Sequence, residues 1–160
     1  MLIAHLPAGY LAARTALRRA APARRRVLMR AALAGSVVPD LDLLFFYGVD
    51  SSVHHHAFPT HWPLVWLAVL VASSLIVAIT DHKTFGLAGA ALSLAALLHV
   101  ALDTIAGSIR WLAPFASHET TLVTIPPTHS SWIVSFATHW TFGVELAITA
   151  LALAVWAARR

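Results

Sequence analysis

The sequence contains no cysteine and few charged residues. Without cysteine the chain forms no disulfide, no thiolate zinc site and no cysteine nucleophile. The absence of cysteine does not indicate whether the protein occupies an oxidising or a reducing compartment. Charged residues make up only 11% of the 160 residues, whereas 59% are hydrophobic and the mean hydropathy is +0.74. A soluble domain of this length cannot bury so much apolar surface, so lipid must solvate much of the chain. We therefore expect an integral membrane protein.

Hydropathy divides the chain into five apolar segments, at residues 2–16, 26–46, 63–80, 85–106 and 132–157. A membrane-spanning helix needs about 20 residues at a rise of about 1.5 Å each. The last three segments are expected to span, whereas the first two are expected to be shorter, tilted or partly re-entrant. Because there is no internal repeat and no low-complexity linker, we expect a single membrane-embedded domain over residues 1–160. The predicted fold is all-α, a compact bundle of about four to five transmembrane or partly re-entrant helices.

Basic residues are concentrated in alternate connections between these segments. If the chain crosses back and forth, ten of the 11 basic residues fall on one face and only Arg110 lies opposite. The ten are Arg14, Arg18, Arg19, Arg24, Arg25, Arg26, Arg30, Lys83, Arg159 and Arg160. The positive-inside rule makes that face cytoplasmic, so the opposite face points to the periplasm or exterior. Basic loops beside membrane helices then explain the net charge of +4, and no nucleic-acid partner is expected.

Histidine is abundant, and the same back-and-forth path of the chain brings most of the histidines to the outer face. Four of the ten histidines lie within SSVHHHAFPTHWPLVW, residues 51–66, directly before an apolar segment. Carboxylates from other segments fall at the same end. Ionisable groups within membrane segments are costly, so by default they mark function.

Two acidic motifs supply candidate metal ligands. In HVALD, His99 and Asp103 are four residues apart and project from one helical face. They can share a metal ion, or the carboxylate can orient the imidazole; the alternative is a structural pair at a helix end. In VVPDLD, Pro39 breaks the helix before Asp40 and Asp42. In an extended turn both carboxylates could point the same way; the alternative is a pair of helix-capping aspartates.

Histidines elsewhere complete the candidate set. His56 and His61 flank AFPT, where Pro59 fixes a turn that can aim two imidazoles at one centre. His54 and His55 need not be ligands. His5 is either a satisfied core residue or a further ligand, and Glu145 is interpreted as a buried structural acid or the floor of a polar cavity. Nitrogen and oxygen ligands without sulfur favour Zn²⁺, with Mn²⁺ or Fe²⁺ as alternatives, and one or two ions would fit.

Taken in order, these motifs resemble the YdjM-like family of membrane-bound, metal-dependent hydrolases. The family pattern has an N-terminal histidine, PDxD, HRxxTH and HxxxD, followed by glycine, arginine and a final Pro-Phe. Here they correspond to His5, GSVVPDLD at 35–42, HAFPTH at 56–61 and HVALDTIAGSIRWLAPF at 99–115. One departure is that Ala57 replaces the arginine of HRxxTH, which leaves Arg110 as its substitute for meeting an anionic substrate.

The resemblance implies a metal-dependent hydrolase, and we expect a multi-pass protein of a bacterial inner membrane. The position of the ligands predicts a site at the outer membrane–water interface, with a lipid-borne phosphoester as the favoured substrate. The predicted metal ligands are His5, Asp40, Asp42, His56, His61, His99 and Asp103, and the predicted catalytic residues are Asp40, Asp42 and Arg110. A metal-ion or proton transporter is the alternative, although the apolar third segment and the end of the last one offer no polar route. A structural membrane protein with a vestigial site is the third hypothesis.

Overall fold

In a computed structural model that describes residues 3–158, these residues form an all-helical fold without a strand. The seven α-helices are α1 (His5–Ala16), α2 (Pro22–Gly35), α3 (Asp42–Gly48), α4 (Pro63–Ile79), α5 (Lys83–Asp103), α6 (Trp132–Ala137) and α7 (Trp140–Ala157). Three short 3₁₀ turns lie at Val38–Leu41, His55–Ala57 and Pro59–His61. One isolated β-bridge joins Ile109 and Thr120 in the long connection after α5.

The all-α class is confirmed, but the four to five membrane spans are not. Within residues 3–158, only α5 and α7 are long and apolar enough to cross a bilayer, and α4 is an apolar helix of 17 residues. The 12 residues of α1 and 14 of α2 cover about 18 and 21 Å, less than a hydrocarbon core of about 30 Å. The fifth predicted segment is also divided, because His139 lies between α6 and α7 as the N-cap of α7.

The helices run back and forth, so that the bundle has two distinct ends. The starts of α1, α4 and α7 and the last turns of α2 and α5 lie together at one end. We call it the histidine end, because His5, His61 and His99 lie there. The end of α1, the start of α2 and the end of α7 lie at the other end of the bundle, which we call the arginine end. The described part of the chain therefore has the alternation that the sequence predicts.

Small residues allow the helices to approach closely. A Cβ added at Gly35 would collide with the backbone of Leu92, which fixes α2 against α5. Gly86 and Gly89 both face Ser73, which brings α5 against α4. Close backbone approach at small residues is the usual way in which membrane helices associate. This packing sets the position of α5 and hence of the side chains at its C-terminal end.

Two polar contacts hold α1 to α7, one at each end of the bundle. At the histidine end, the backbone N–H groups of Ile3 and Ala4 donate to Oε2 of the fully buried Glu145, at 2.6 and 3.2 Å. At the arginine end, the guanidinium of Arg14 donates to the carbonyl of Val155 in the last turn of α7. Glu145 thus joins α1 to α7, which agrees with the first of its two predicted roles, that of a buried structural acid.

Candidate metal centre

Four side chains converge at the histidine end: Asp40 and His61 from two 3₁₀ turns, and His99 and Asp103 from the last turns of α5. The Nε2 atom of His99 lies 3.0 Å from Oδ2 of Asp103 and 3.5 Å from Oδ1 of Asp40. The Nε2 atom of His61 lies 3.6 and 3.7 Å from the same two oxygens. All four ligand atoms lie within 4.8 Å of one another. We call these four residues the central cluster.

Hydrogen bonds behind the two imidazoles fix their orientation. The Nδ1 atom of His61 lies 2.6 Å from Oδ2 of Asp42, and that of His99 lies 2.9 Å from the backbone carbonyl of Ser36. Both acceptors require a proton on Nδ1, so the lone pair of each ring lies on Nε2. Both Nε2 atoms are buried without a hydrogen-bond partner of acceptable geometry. An imidazole anchored through one nitrogen, with the other aimed at carboxylates, is the usual arrangement of a metal ligand.

The separations within the central cluster fit a metal ion. Metal–ligand bonds of about 2.0–2.2 Å in a tetrahedral site place neighbouring ligand atoms about 3.3–3.6 Å apart. The four measured nitrogen–oxygen separations, 3.0 to 3.7 Å, bracket that value. Asp40 and Asp103 also bring two negative charges together, which is costly in a buried site unless a cation balances them. Two neutral imidazoles with two carboxylates match a divalent cation in charge and number.

The turn that carries His61 is held in place by aromatic and hydroxyl side chains. The indole N–H of Trp62 donates to the carbonyl of Ala57, and that of Trp66 donates to the carbonyl of Thr60. The Thr60 hydroxyl donates to Oδ2 of Asp42 at 2.6 Å, the oxygen that also accepts from His61. The motif AFPTHWPLVW therefore builds a rigid support rather than a loose histidine loop.

The family model described as YdjM inner membrane protein matches residues 1–160, the whole chain. The chain belongs to the YdjM family of inner membrane proteins. No curated protein and no solved structure matches it. The resemblance based on PDxD, HAFPTH and HVALD is thus confirmed at the level of the family, and membership places the protein in an inner membrane.

The structure brings the other predicted ligands of this YdjM family member around the central cluster. His5 stacks on the ring of His99 at a centroid distance of 3.6 Å and places Nε2 3.1 Å from Oδ1 of Asp103. His56 places Nε2 3.8 Å from Oδ2 of the same carboxylate. Asp103 therefore contacts histidines on several sides, which makes it the central acid of the site.

Asp40 and Asp42 do not point the same way, in contrast to the extended-turn prediction. The 3₁₀ turn at Val38–Leu41 runs into α3, so the two carboxylates diverge. They nevertheless act on one ring, because Asp40 faces Nε2 of His61 and Asp42 binds Nδ1. Asp42 is thus a support for His61 in this geometry rather than a member of the central cluster.

Sequence reasoning missed three supporting groups. His55 places Nδ1 3.5 Å from Oδ1 of Asp42, although nothing in the run of three histidines distinguishes it from His54. The hydroxyl of Thr60 lies between Pro59 and His61 in the motif, where its position beside a candidate ligand is the only signal of its role. The carbonyl of Ser36 could not have been identified, since every residue has one.

Burial differs sharply within the site. His61, His99 and Asp103 are at most 1% exposed, whereas the side chain of Asp40 is 29% exposed. Burial lowers the pKa of His56 to about 3, so its ring is neutral near pH 7. The pKa of His61 is raised: burial opposes its charged form, but Asp103 and Asp42 outweigh burial. The carboxylates around His61 thus favour a cation at this centre, which a bound metal ion supplies when the ring is neutral, and the centre is open on the Asp40 side.

Arg110 lies outside the central cluster. Its Nε and Nη2 atoms donate to Oε1 of Glu119 at 3.0 and 2.9 Å, across the β-bridge of the connection after α5. The pair is partly exposed, with 35% and 45% of the two side chains accessible. The predicted anion-binding arginine is therefore held by a carboxylate.

Proposed function

We propose that the central cluster binds one divalent metal ion, with Zn²⁺ favoured, and that the protein is a metal-dependent hydrolase. The observation that carries this proposal is the pair of buried imidazoles, each anchored at Nδ1 and each directing Nε2 towards Asp40 and Asp103. His5 and His56 are additional or supporting ligands through Asp103. Such an ion would lower the pKa of a water that reaches it from the open Asp40 side to about 7, and it would polarise a scissile bond.

The residues around the metal site would each have a separate role. Asp42 holds His61 in the tautomer that a metal ligand needs, and Ser36 does the same for His99. Asp40 lies on the open side, where its carboxylate can hold the proton that an attacking water releases. The buried rings of His61 and His99 exclude solvent from the opposite side.

A lipid-borne phosphoester is the substrate that these surroundings favour. Large apolar side chains near His5 and Asp42 in the chain are exposed, namely Leu6, Leu44 and Phe45 at 42% to 74%, which suits contact with lipid. Trp111, beside Arg110, is of the type that occupies the headgroup interface. A guanidinium binds phosphate with two parallel hydrogen bonds.

In the membrane, we place α4, α5 and α7 across the bilayer with the histidine end outward. α1 and α2 pack against them as shorter, tilted or partly re-entrant helices. The support is the arginine-rich opposite end, which the positive-inside rule makes cytoplasmic. Because the chain has no cysteine, Ser52→Cys creates a single labelling site. It should react with an impermeant thiol reagent in intact spheroplasts, and labelling only after lysis would contradict this orientation.

A metal-ion or proton transporter is less consistent with the distribution of buried charge. Among the described residues, the buried ionisable side chains lie at the histidine end: His5, Asp42, His56, His61, His99, Asp103 and Glu145. A transport route would need such groups to continue towards the arginine end, and in the described helices they do not.

The hydrolase proposal is tested by assaying purified protein against phosphatidic acid, phosphatidylglycerol phosphate and polyprenyl diphosphate. At least one should be hydrolysed in a metal-dependent way, with Asp103→Asn abolishing turnover. Arg110→Lys should reduce turnover by about tenfold while metal content stays intact, since lysine cannot reproduce the two parallel bonds. Glu119→Gln, which releases Arg110, should not reduce it. A protein that binds metal but hydrolyses none of these lipids, or an Arg110→Lys variant with full activity, would contradict the corresponding role.

A further inference from the structure

A cleft at the arginine end lies between the C-terminal half of α1 and the start of α2. It has a volume of about 480 Å³, and its walls include Arg14, Arg25, Arg26, Arg30 and Tyr10. The metal ligands are remote from it, because Arg14 lies nine residues along α1 from His5, about 13 Å at the helical rise. The cleft is therefore a second concave feature, chemically opposite to the central cluster.

Among residues 3–158, no carboxylate side chain pairs with the positive charge of this cleft. The first 39 residues contain seven arginines and no aspartate or glutamate. Within residues 3–158, no salt bridge involves the four arginines of the cleft. The first turn of α2 has no acidic residue and no side-chain cap, so arginines gather at the end of a helix whose dipole is already positive. An anion in the cleft would relieve this repulsion.

An apolar groove adjoins the cleft and shares Tyr10 with it. This groove has a volume of about 330 Å³ and runs between α1 and α7, with Leu6, Leu33, Ala152, Leu153 and Trp156 among its walls. The positive-inside rule accounts for arginines on this face, but not for four of them lining one concavity beside an apolar groove. Basic pockets between membrane helices on the cytoplasmic side are suited to anionic lipid headgroups.

We propose that the arginine end binds one anionic phospholipid, with its phosphate in the cleft and an acyl chain in the groove. This proposal is independent of the hydrolase assignment, since it uses neither the metal ligands nor Arg110. The bound lipid would neutralise the start of α2 and fill the groove between α1 and α7, thereby stabilising the contact that Arg14 makes with Val155.

The experiment uses native mass spectrometry of the full-length protein titrated with phosphatidylglycerol and with phosphatidylcholine of the same acyl chains. The wild type should retain phosphatidylglycerol in preference to phosphatidylcholine. Arg25→Gln, Arg26→Gln and Arg30→Gln together should weaken phosphatidylglycerol binding by about tenfold or more relative to a matched control. The control triple, Arg18→Gln, Arg19→Gln and Arg24→Gln, removes the same charge from residues that do not line the cleft.

Equal losses in the two triple variants would overturn the proposal, because general attraction to a basic face would then explain the binding. Soluble glycerophosphoglycerol distinguishes a lipid from a free phosphate ester. It should fail to displace the lipid at millimolar concentration, and displacement would show that the groove contributes nothing. If the cleft triple does not fold, by circular dichroism and gel filtration, the double variant Arg25→Gln with Arg26→Gln is compared with the double variant Arg18→Gln with Arg19→Gln, and equal binding by the two overturns the proposal.

Discussion

The two ends of the bundle are built from the same helices but organise charge in opposite ways. At the histidine end, acidic and imidazole groups are buried and in contact, as with His99 and Asp103 at 3.0 Å. At the arginine end, the positive side chains of Arg25, Arg26 and Arg30 line an open cleft without a carboxylate among the described residues. The first arrangement depends on the position of individual atoms, whereas the second depends on how many charges face the cleft.

This difference predicts how each end responds to substitution. A buried ligand at the histidine end is held by a second group behind it, as Asp42 holds His61, so a change of one atom alters the centre. Exposed guanidinium groups at the arginine end are flexible and solvated, so a single loss is small. Metal content should therefore be sensitive to small changes at one end and indifferent to changes at the other.

The largest effect is expected when a member of the central cluster is removed. His61→Ala, His99→Ala and Asp103→Asn should each weaken metal binding by more than about 100-fold, since the first two delete a ligand nitrogen and the third removes the negative charge of a ligand carboxylate. Metal content after dialysis against a weak chelator, measured by inductively coupled plasma mass spectrometry, reports the loss. His82→Ala and Arg18→Gln, both exposed and at the opposite end, are the controls and should retain full metal. Full occupancy in His99→Ala would remove His99 from the centre.

An intermediate effect is expected at the support behind His61. Asp42→Asn weakens the acceptor that fixes the imidazole tautomer, and loss of such supports typically costs about 10- to 100-fold in metal affinity. Asp50→Asn makes the same chemical change at a fully exposed site and should have no effect. Competition with a chromophoric zinc chelator measures both. If Asp42→Asn binds metal no less than Asp50→Asn, the carboxylate does not support a metal ligand.

The smallest effect is expected at Gly107. A Cβ there would lie 2.6 Å from Cε1 of His56, so Gly107→Ala must displace a ring that borders the centre without belonging to the central cluster. We expect metal affinity to fall by about tenfold or less, in the same chelator competition. Gly143→Ala, where a Cβ meets nothing within 4 Å, is the matched control. A loss as large as that of His99→Ala would place His56 among the essential ligands.

Much of the centre could be predicted from the sequence because its ligands sit in local motifs. The spacing of His99 and Asp103 on one helix fixes their shared face, and Pro39 fixes the break before Asp40. The different directions of Asp40 and Asp42 depend on the exact path of a 3₁₀ turn, which hydropathy does not encode. The carbonyl of Ser36 enters the site only because Gly35 lets α2 approach α5.

The helices were predictable in type but less so in extent. The apolar run of α5 was predicted to within three residues at each end, because nothing interrupts it before Asp103. The last segment reads as one run by hydropathy, although the side chain of His139 caps α7 and separates it from α6. Such a cap depends on one local hydrogen bond, and a mean hydropathy taken over about 18 residues does not detect it. The pairing of Arg110 with Glu119 likewise depends on a β-bridge between residues that no short motif links.

The most direct measurement of the central claim is X-ray absorption at the metal edge of the purified, metal-loaded protein. The account predicts one ion per chain with nitrogen and oxygen ligands at about 2.0–2.2 Å, including the multiple-scattering signature of at least two imidazoles. His61→Ala should lower the fitted imidazole count by one in any metal that remains. An ion bound without imidazole scattering, or a spectrum unchanged in His61→Ala, would contradict the assignment of the central cluster as the metal centre.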